Sequence, residues 1–225
     1  NSVTLPDPDG SGNLYSPIYT FGYDALGNQT GITDPNNHMS SKTWDNRSRL
    51  TSVTGVDPDG AGGLSAPTIS YGYDDVGNLT SLTNPLSKVT SFAYDNLDRK
   101  ISMTLADPDG GGSLAAPIYA YGYNSVNSLT TETDPLGNVT TTAFDNLQRK
   151  TTVTLPDPDS GGSLSSPVCT STYGSDTPLA TLTDPLGHAP DYGYDGFGRP
   201  PTLPNTDAYV TPPPYPLPDQ GPPPT

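Results

Sequence analysis

Glutamate occurs once in this chain of 225 residues, as Glu132, and cysteine once, as Cys169. A single cysteine cannot close an internal disulfide. It aligns with Tyr19, Ile69 and Tyr119 and reads as a packing substitute for them. No apolar run is long enough to span a bilayer, and no signal peptide is visible. No apolar stripe runs at helical spacing. Lys and Arg number nine against 24 acids, for a net charge of −15. Such a surface repels nucleic acid and anionic membranes and suits cations or plain solubility. Hydrophobic residues make up 31%, and tyrosine supplies much of that share, which leaves no thick aliphatic core. Zinc-ligand spacing, a phosphate loop and a nucleophile elbow are all missing. His38 and His188 stand far apart in register, and Glu132 has no partner carboxylate at a suggestive spacing. No residue is assigned a catalytic role, and the expectation is a protein that is not an enzyme.

What the chain does have is a period of fifty residues. Aligned starts are Val3, Val53, Met103 and Val153, which define units 3–52, 53–102, 103–152 and 153–202, followed by a Pro-rich stretch at 203–225. Glycine (24) and proline (27) would suggest disorder if they were scattered, but they return at fixed register positions, as turns do. Within a unit the alternation has period two. Tyr119, Tyr121 and Tyr123 fall on one face and Ile118, Ala120 and Gly122 on the other. β-Branched and aromatic residues at that spacing, bounded by Gly, Pro and Asn, predict strands. Gly77 supplies a position that can take positive φ, and Asp34-Pro35, Asp134-Pro135 and Asp184-Pro185 place proline where a turn fixes φ. Each unit therefore offers about four short strands as two hairpins. The predicted fold is all-β: tandem β-hairpin repeats stacked as a solenoid or β-spiral, with an extended Pro-rich C-terminal tail. The chain starts in mid-register, Ser2 aligning with Ser52 and Ser102, and reads as an excerpt of a longer array.

The motif Tyr73-Asp74 with Gly77-Asn78-Leu79-Thr80, followed by Tyr94-Asp95 and Arg99, resembles the YD repeat of Rhs and teneurin-type proteins. Tyr23-Asp24 with Gly27-Asn28 fits it, and so does Phe144-Asp145 with Arg149. Unit three weakens to Tyr123-Asn124, and unit four to Tyr173-Gly174. The resemblance covers nearly all of residues 3–199. An Asp-Pro-Asp-Gly insertion stretches every second repeat, which departs from the usual pattern. The resemblance implies a large β shell that can enclose a toxin, sometimes with an Asp-dependent self-cleavage site near Asp-Pro-x-Gly-Leu. Here Asp134-Pro135-Leu136-Gly137 is followed by Asn138 and Asp184-Pro185-Leu186-Gly187 by His188, so that activity is not carried over.

Three sets of residues are candidate sites. Tyr23, Tyr73, Tyr123 and Tyr173 recur at equivalent positions and are expected to stack as a ladder. The pairs Asp7 and Asp9, Asp57 and Asp59, Asp107 and Asp109, and Asp157 and Asp159 offer hard oxygens suited to Ca2+. The same Asp-Pro-Asp-Gly sequence makes a good turn with no metal, which is the preferred reading. Asn28, Asn46, Asn78 and Asn138 lie in N-x-S/T sequons, open to glycan in a secreted chain, although Asn is also wanted there for the turn. Pro212-Pro213-Pro214-Tyr215 matches a WW-domain ligand only formally, and the tail reads as a spacer or cap.

Open sheet edges template further pairing, and a head-to-tail contact that does not close builds a filament. The leading expectation is thus a non-catalytic extracellular or cell-surface protein that assembles with itself into a fibre. The alternatives are a fragment of an Rhs-type toxin shell and a calcium-dependent adhesion or carbohydrate-binding module with glycan partners.

Overall fold

A computed structural model describes residues 1–8, 10, 12, 15–60, 62–174 and 179–189. Asp9, the end of unit four and the Pro-rich stretch at 203–225 lie outside the described residues.

The alternating segments form fifteen strands: β1 (Ser2–Thr4), β2 (Ile18–Tyr23), β3 (Gln29–Thr33), β4 (Met39–Trp44), β5 (Leu50–Thr54), β6 (Thr68–Tyr73), β7 (Leu79–Thr83), β8 (Val89–Tyr94), β9 (Lys100–Thr104), β10 (Ile118–Tyr123), β11 (Leu129–Thr133), β12 (Val139–Phe144), β13 (Lys150–Thr154), β14 (Val168–Tyr173) and β15 (Leu179–Thr183). They make one antiparallel sheet in strict chain order, with no crossover. The described residues contain no helix. The all-β repeat fold predicted from the alternation is the fold found, with four strands recurring every fifty residues. Neighbouring units add in the plane of the sheet.

Register sorts the side chains into two unlike faces, because directly opposed residues share a face. Phe21 opposes Ile32, Val53 opposes Ile69, Tyr71 opposes Leu82, Phe92 opposes Met103, and Met103 opposes Tyr119 on its other side. This is the aromatic and aliphatic face. The opposite face carries small and hydroxylated residues along the middle of the strands: Thr20 with Thr33, Ser52 with Ser70, Ser81 with Ser91, Thr131 with Thr141. It also carries exposed apolar residues such as Ile18, Met39, Val89 and Ile118 where strands begin. Where the chains approach closely in mid-strand, a larger side chain needs its neighbour to turn aside. A Cβ on Gly122 would stand 2.2 Å from Thr131 Oγ1. At the equivalent place in unit four, Thr172 is accommodated by a hydroxyl contact to Thr181 at 2.7 Å.

Among the described residues no second layer packs over either face. Among the described residues no hydrophobic side chain is fully buried, and the apolar rings and chains are left half-buried by their own sheet neighbours. Cohesion therefore comes from the hydrogen-bonded ladder and from cross-strand pairs, each contributing about 0.2–1 kcal/mol.

Candidate functional site

Strand direction alternates, so the connections fall on two rims. One rim carries the turns that follow each aromatic-Asp pair. The other carries the Asp-Pro turns and the long Asp-Pro-Asp loops in alternation. Apart from Glu132 in β11, every acidic residue of the described strands and connections sits on a rim. The negative charge is thus carried along the edges, where water solvates it.

Each aromatic-Asp turn is built by its aspartate. Asp24 Oδ1 accepts the backbone N–H of Leu26 and of Asn28 at 2.9 and 2.8 Å, while the backbone closes through Asp24 N–H to Asn28 O at 2.9 Å. The fourth residue takes positive φ: 86° at Gly27, 58° at Ser48, 110° at Gly77, 58° at Asp98 and 62° at Gln148. A turn followed by a left-handed residue leaves one strand a residue out of step. The ladder duly shifts beside Tyr23, Trp44, Tyr73, Tyr94, Tyr123, Phe144 and Tyr173.

The aromatic that precedes the aspartate bonds to the strand on the other side, away from the shifted ladder. Tyr73 Oη donates to Leu50 O at 2.9 Å, Tyr123 to Lys100 O at 2.8 Å, and Tyr173 to Lys150 O at 2.6 Å. Tyr94 does the same to Leu79 O at 3.0 Å, and Trp44 Nε1–H to Gln29 O at 2.8 Å. Each ring thus donates to a backbone carbonyl of the strand that precedes its own.

The arginine closes the unit. Arg49 Nε donates to Asp45 Oδ2 at 2.7 Å, its Nη1 donates to Asp74 O at 2.8 Å, and its guanidinium lies 4.7 Å from the ring centroid of Tyr73. Arg99 repeats this with Asp95, Asn124 O and Tyr123, and Arg149 with Asp145 and Tyr173. Arg149 Nη1 is buried and has no partner among the described residues. The next unit has Gly174 where the motif calls for aspartate.

Side chains then link turn to turn. Asn28 Nδ2 donates to Ser48 Oγ at 3.1 Å, Asn78 Nδ2 to Asp98 Oδ1 at 2.9 Å, and Ser128 Oγ to Gln148 Oε1 at 2.5 Å. Together with the arginine bonds they join six consecutive turns along the rim. These contacts hold the aspartates ionised. Asp24 and Asp95 lie below the ordinary carboxylate range, chiefly through the side-chain bonds from Asn28 and Arg99. Asp45 and Asp145 are lowered first by the backbone N–H of Arg49 and Arg149.

The expected ladder of Tyr23, Tyr73, Tyr123 and Tyr173 takes another form. These residues end β2, β6, β10 and β14, with three strands between successive rings, about 19 Å at the usual strand spacing. They do not touch one another. The partner of Tyr73, Tyr123 and Tyr173 is an arginine twenty-four residues earlier in the chain. Both residues belong to the repeated motif, Arg49, Arg99 and Arg149 each standing twenty-four residues before a tyrosine. Their constant spacing was the available signal.

The acidic pairs are occupied by their own loops. Asp57 Oδ1 accepts Asp59 N–H at 3.2 Å, and Asp59 Oδ2 accepts Leu64 N–H at 3.0 Å. Asp107 with Asp109, and Asp157 with Asp159, make the same two kinds of bond. No group of three or more acidic, His or Cys side chains converges among the described residues. A calcium ion takes six to eight oxygens, and two carboxylates turned toward loop amides do not supply them. Asp7 belongs to the first such loop and lies four strands from its successor. Of the sequon residues, Asn28, Asn78 and Asn138 bond through Nδ2 to Asp24, Asp74 and Asp134, while Asn46 is exposed. His38 and His188 each face one aspartate, Asp34 and Asp184, at 3.0 and 2.8 Å on exposed turns.

The sequence matches the RHS Repeat family over residues 23–61, 73–111 and 123–159, each match opening on one of these tyrosines. The chain belongs to the RHS repeat family. Its repeat region is structural: the tyrosine, aspartate and arginine of the motif are bonded into the sheet itself. No curated protein sequence matches it. Among solved structures, the sheet is similar to a crystal structure of TcdB2-TccC3-Cdc42, with 14% identity and a TM-score of 0.61, covering 81% of this chain and 10% of that one. It is also similar to the Photorhabdus luminescens Tc holotoxin pore, with 14% identity and a TM-score of 0.59 over 79% of this chain and 10% of that one. This RHS repeat sheet therefore spans about a tenth of the length of those chains.

Proposed function

We propose that the chain is a wall segment of an RHS-type toxin shell, a non-catalytic scaffold whose task is to enclose space. The observation that carries this reading is the single layer. Fifteen strands follow one another in chain order with two unlike faces, and the described residues form no packed core. A globular domain must bury one face of its sheet against another layer, whereas a wall separates an inside from an outside. The likeness in fold to Tc toxin structures supports the same reading. The partner proposed is accordingly more sheet of the same kind, and the setting is outside the cell that makes it.

Electron microscopy of the polypeptide that carries this segment tests the proposal. Hollow particles with the sheet in their wall are expected. Fibres with a helical rise per fifty-residue unit would overturn the shell and restore the filament.

A further inference from the structure

The four sequons are equivalent in sequence and unequal in structure. An N-linked oligosaccharide replaces one hydrogen on Nδ2, so the acceptor amide must have a hydrogen to lose and open space beyond it. Asn28 Nδ2 donates twice, to Asp24 Oδ2 at 2.9 Å and Ser48 Oγ at 3.1 Å. Asn78 Nδ2 also donates twice, to Asp74 Oδ2 at 3.0 Å and Asp98 Oδ1 at 2.9 Å. Both are half-buried between neighbouring turns of the rim. A sugar on either would break one of the contacts that join the turns. Asn138 is half-buried and uses one hydrogen, toward Asp134 Oδ2 at 2.8 Å. Asn46 is exposed at the tip of the 45–49 turn, and its side-chain amide makes no hydrogen bond among the described residues.

We infer that Asn46 is the N-glycan acceptor of this sheet, the one sequon whose free, outward amide takes an oligosaccharide while the fold stays intact. The donor class is a lipid-linked pyrophosphate oligosaccharide. In the transfer a bond forms between the anomeric carbon and Asn46 Nδ2, the anomeric carbon–oxygen bond to pyrophosphate breaks, and the amide proton leaves. Serine supplies the third sequon position here, and it costs the rim nothing. Ser48, at φ 58°, accepts from Asn28 as Asp98, also at φ 58°, accepts from Asn78. Asn96 and Asn146 occupy the same exposed turn position, but Asp98 and Gln148 follow them and no sequon exists there.

The test is to secrete the full chain from a glycosylating cell and map occupancy on the folded material by enzymatic deglycosylation in heavy-oxygen water and mass spectrometry. One glycan is expected, at Asn46, and Asn46→Gln removes it with no change in melting temperature. Asp98→Ser is expected to add a second glycan, at Asn96. An unoccupied Asn46, or Asn28 and Asn78 occupied as fully as Asn46 in folded chains, overturns the inference. The map of the unaltered chain decides the matter even if a variant fails to fold.

Discussion

Arg99 and Tyr123 are twenty-four residues apart, and the guanidinium of the first lies 4.8 Å from the ring centroid of the second. The same arginine holds Asp95 Oδ2 at 2.7 Å and Asn124 O at 3.0 Å. One side chain thus ties the turn it belongs to, the next turn on its rim, and the ring that donates to Lys100 O between them.

Arg99→Ala should cost roughly 2 kcal/mol, since it removes a partly buried cation–π contact and charge-assisted bonds together. Arg99→Lys should recover less than half of that, because an ammonium cannot keep the planar fork that serves Asp95 and Asn124 at once. Urea unfolding of the two variants beside the parent chain gives both figures. Equal stability of all three would remove the arginine from the account.

Tyr123→Phe keeps the ring beneath Arg99 and deletes the bond to Lys100 O. The expected loss is about 1 kcal/mol, the usual net value of such a bond. Phe144 lacks the hydroxyl naturally, so Phe144→Tyr should stabilise by a similar amount if its Oη reaches Leu129 O. Thermal melts of the two single variants should move in opposite directions.

Acid should loosen the rims first. Asp24, Asp45, Asp95, Asp134, Asp145 and Asp184 all lie below the ordinary carboxylate value, each through hydrogen bonds made to its ionised form. A lowered folded value means the stabilisation is complete above the unfolded value, about 3.9, and is lost as pH falls through the folded value. The melting midpoint should stay level from pH 7 to about pH 5 and fall below about pH 4. A fall already complete by pH 5 would remove these aspartates from the account.

Removing metal should change nothing. Asp57, Asp59, Asp107, Asp109, Asp157 and Asp159 cap amides of their own loops, so EDTA is expected to leave the melting midpoint where it was. A rise of several degrees with added calcium would mean that the loops rearrange around the ion.

Whatever depends on near neighbours in the chain was legible from the residues. Tyr119, Tyr121 and Tyr123 alternate with Ile118, Ala120 and Gly122, and that alternation alone predicts a strand with an aromatic face. Asp74 followed by Gly77 predicts a turn, because the carboxylate caps amides two and four residues on and glycine takes the left-handed position. The ring ladder was expected because identical units invite stacking of like on like. Side-by-side growth of the sheet instead sets Tyr73 and Tyr123 four strands apart and brings an arginine to each.

The amino-acid sequence by itself determined the strands, their turns, the fifty-residue period and the acidic balance, because each rests on alternation, on turn chemistry spanning five residues, or on composition. Only the tertiary structure decided that the described strands extend one layer without a core among them, that Arg49, Arg99 and Arg149 cover the tyrosines of the next hairpin, and that Asn46 is exposed while Asn28 and Asn78 are bonded between turns. Those outcomes depend on which strand lies beside which. Local preferences are the same for every order in which such hairpins could be laid down.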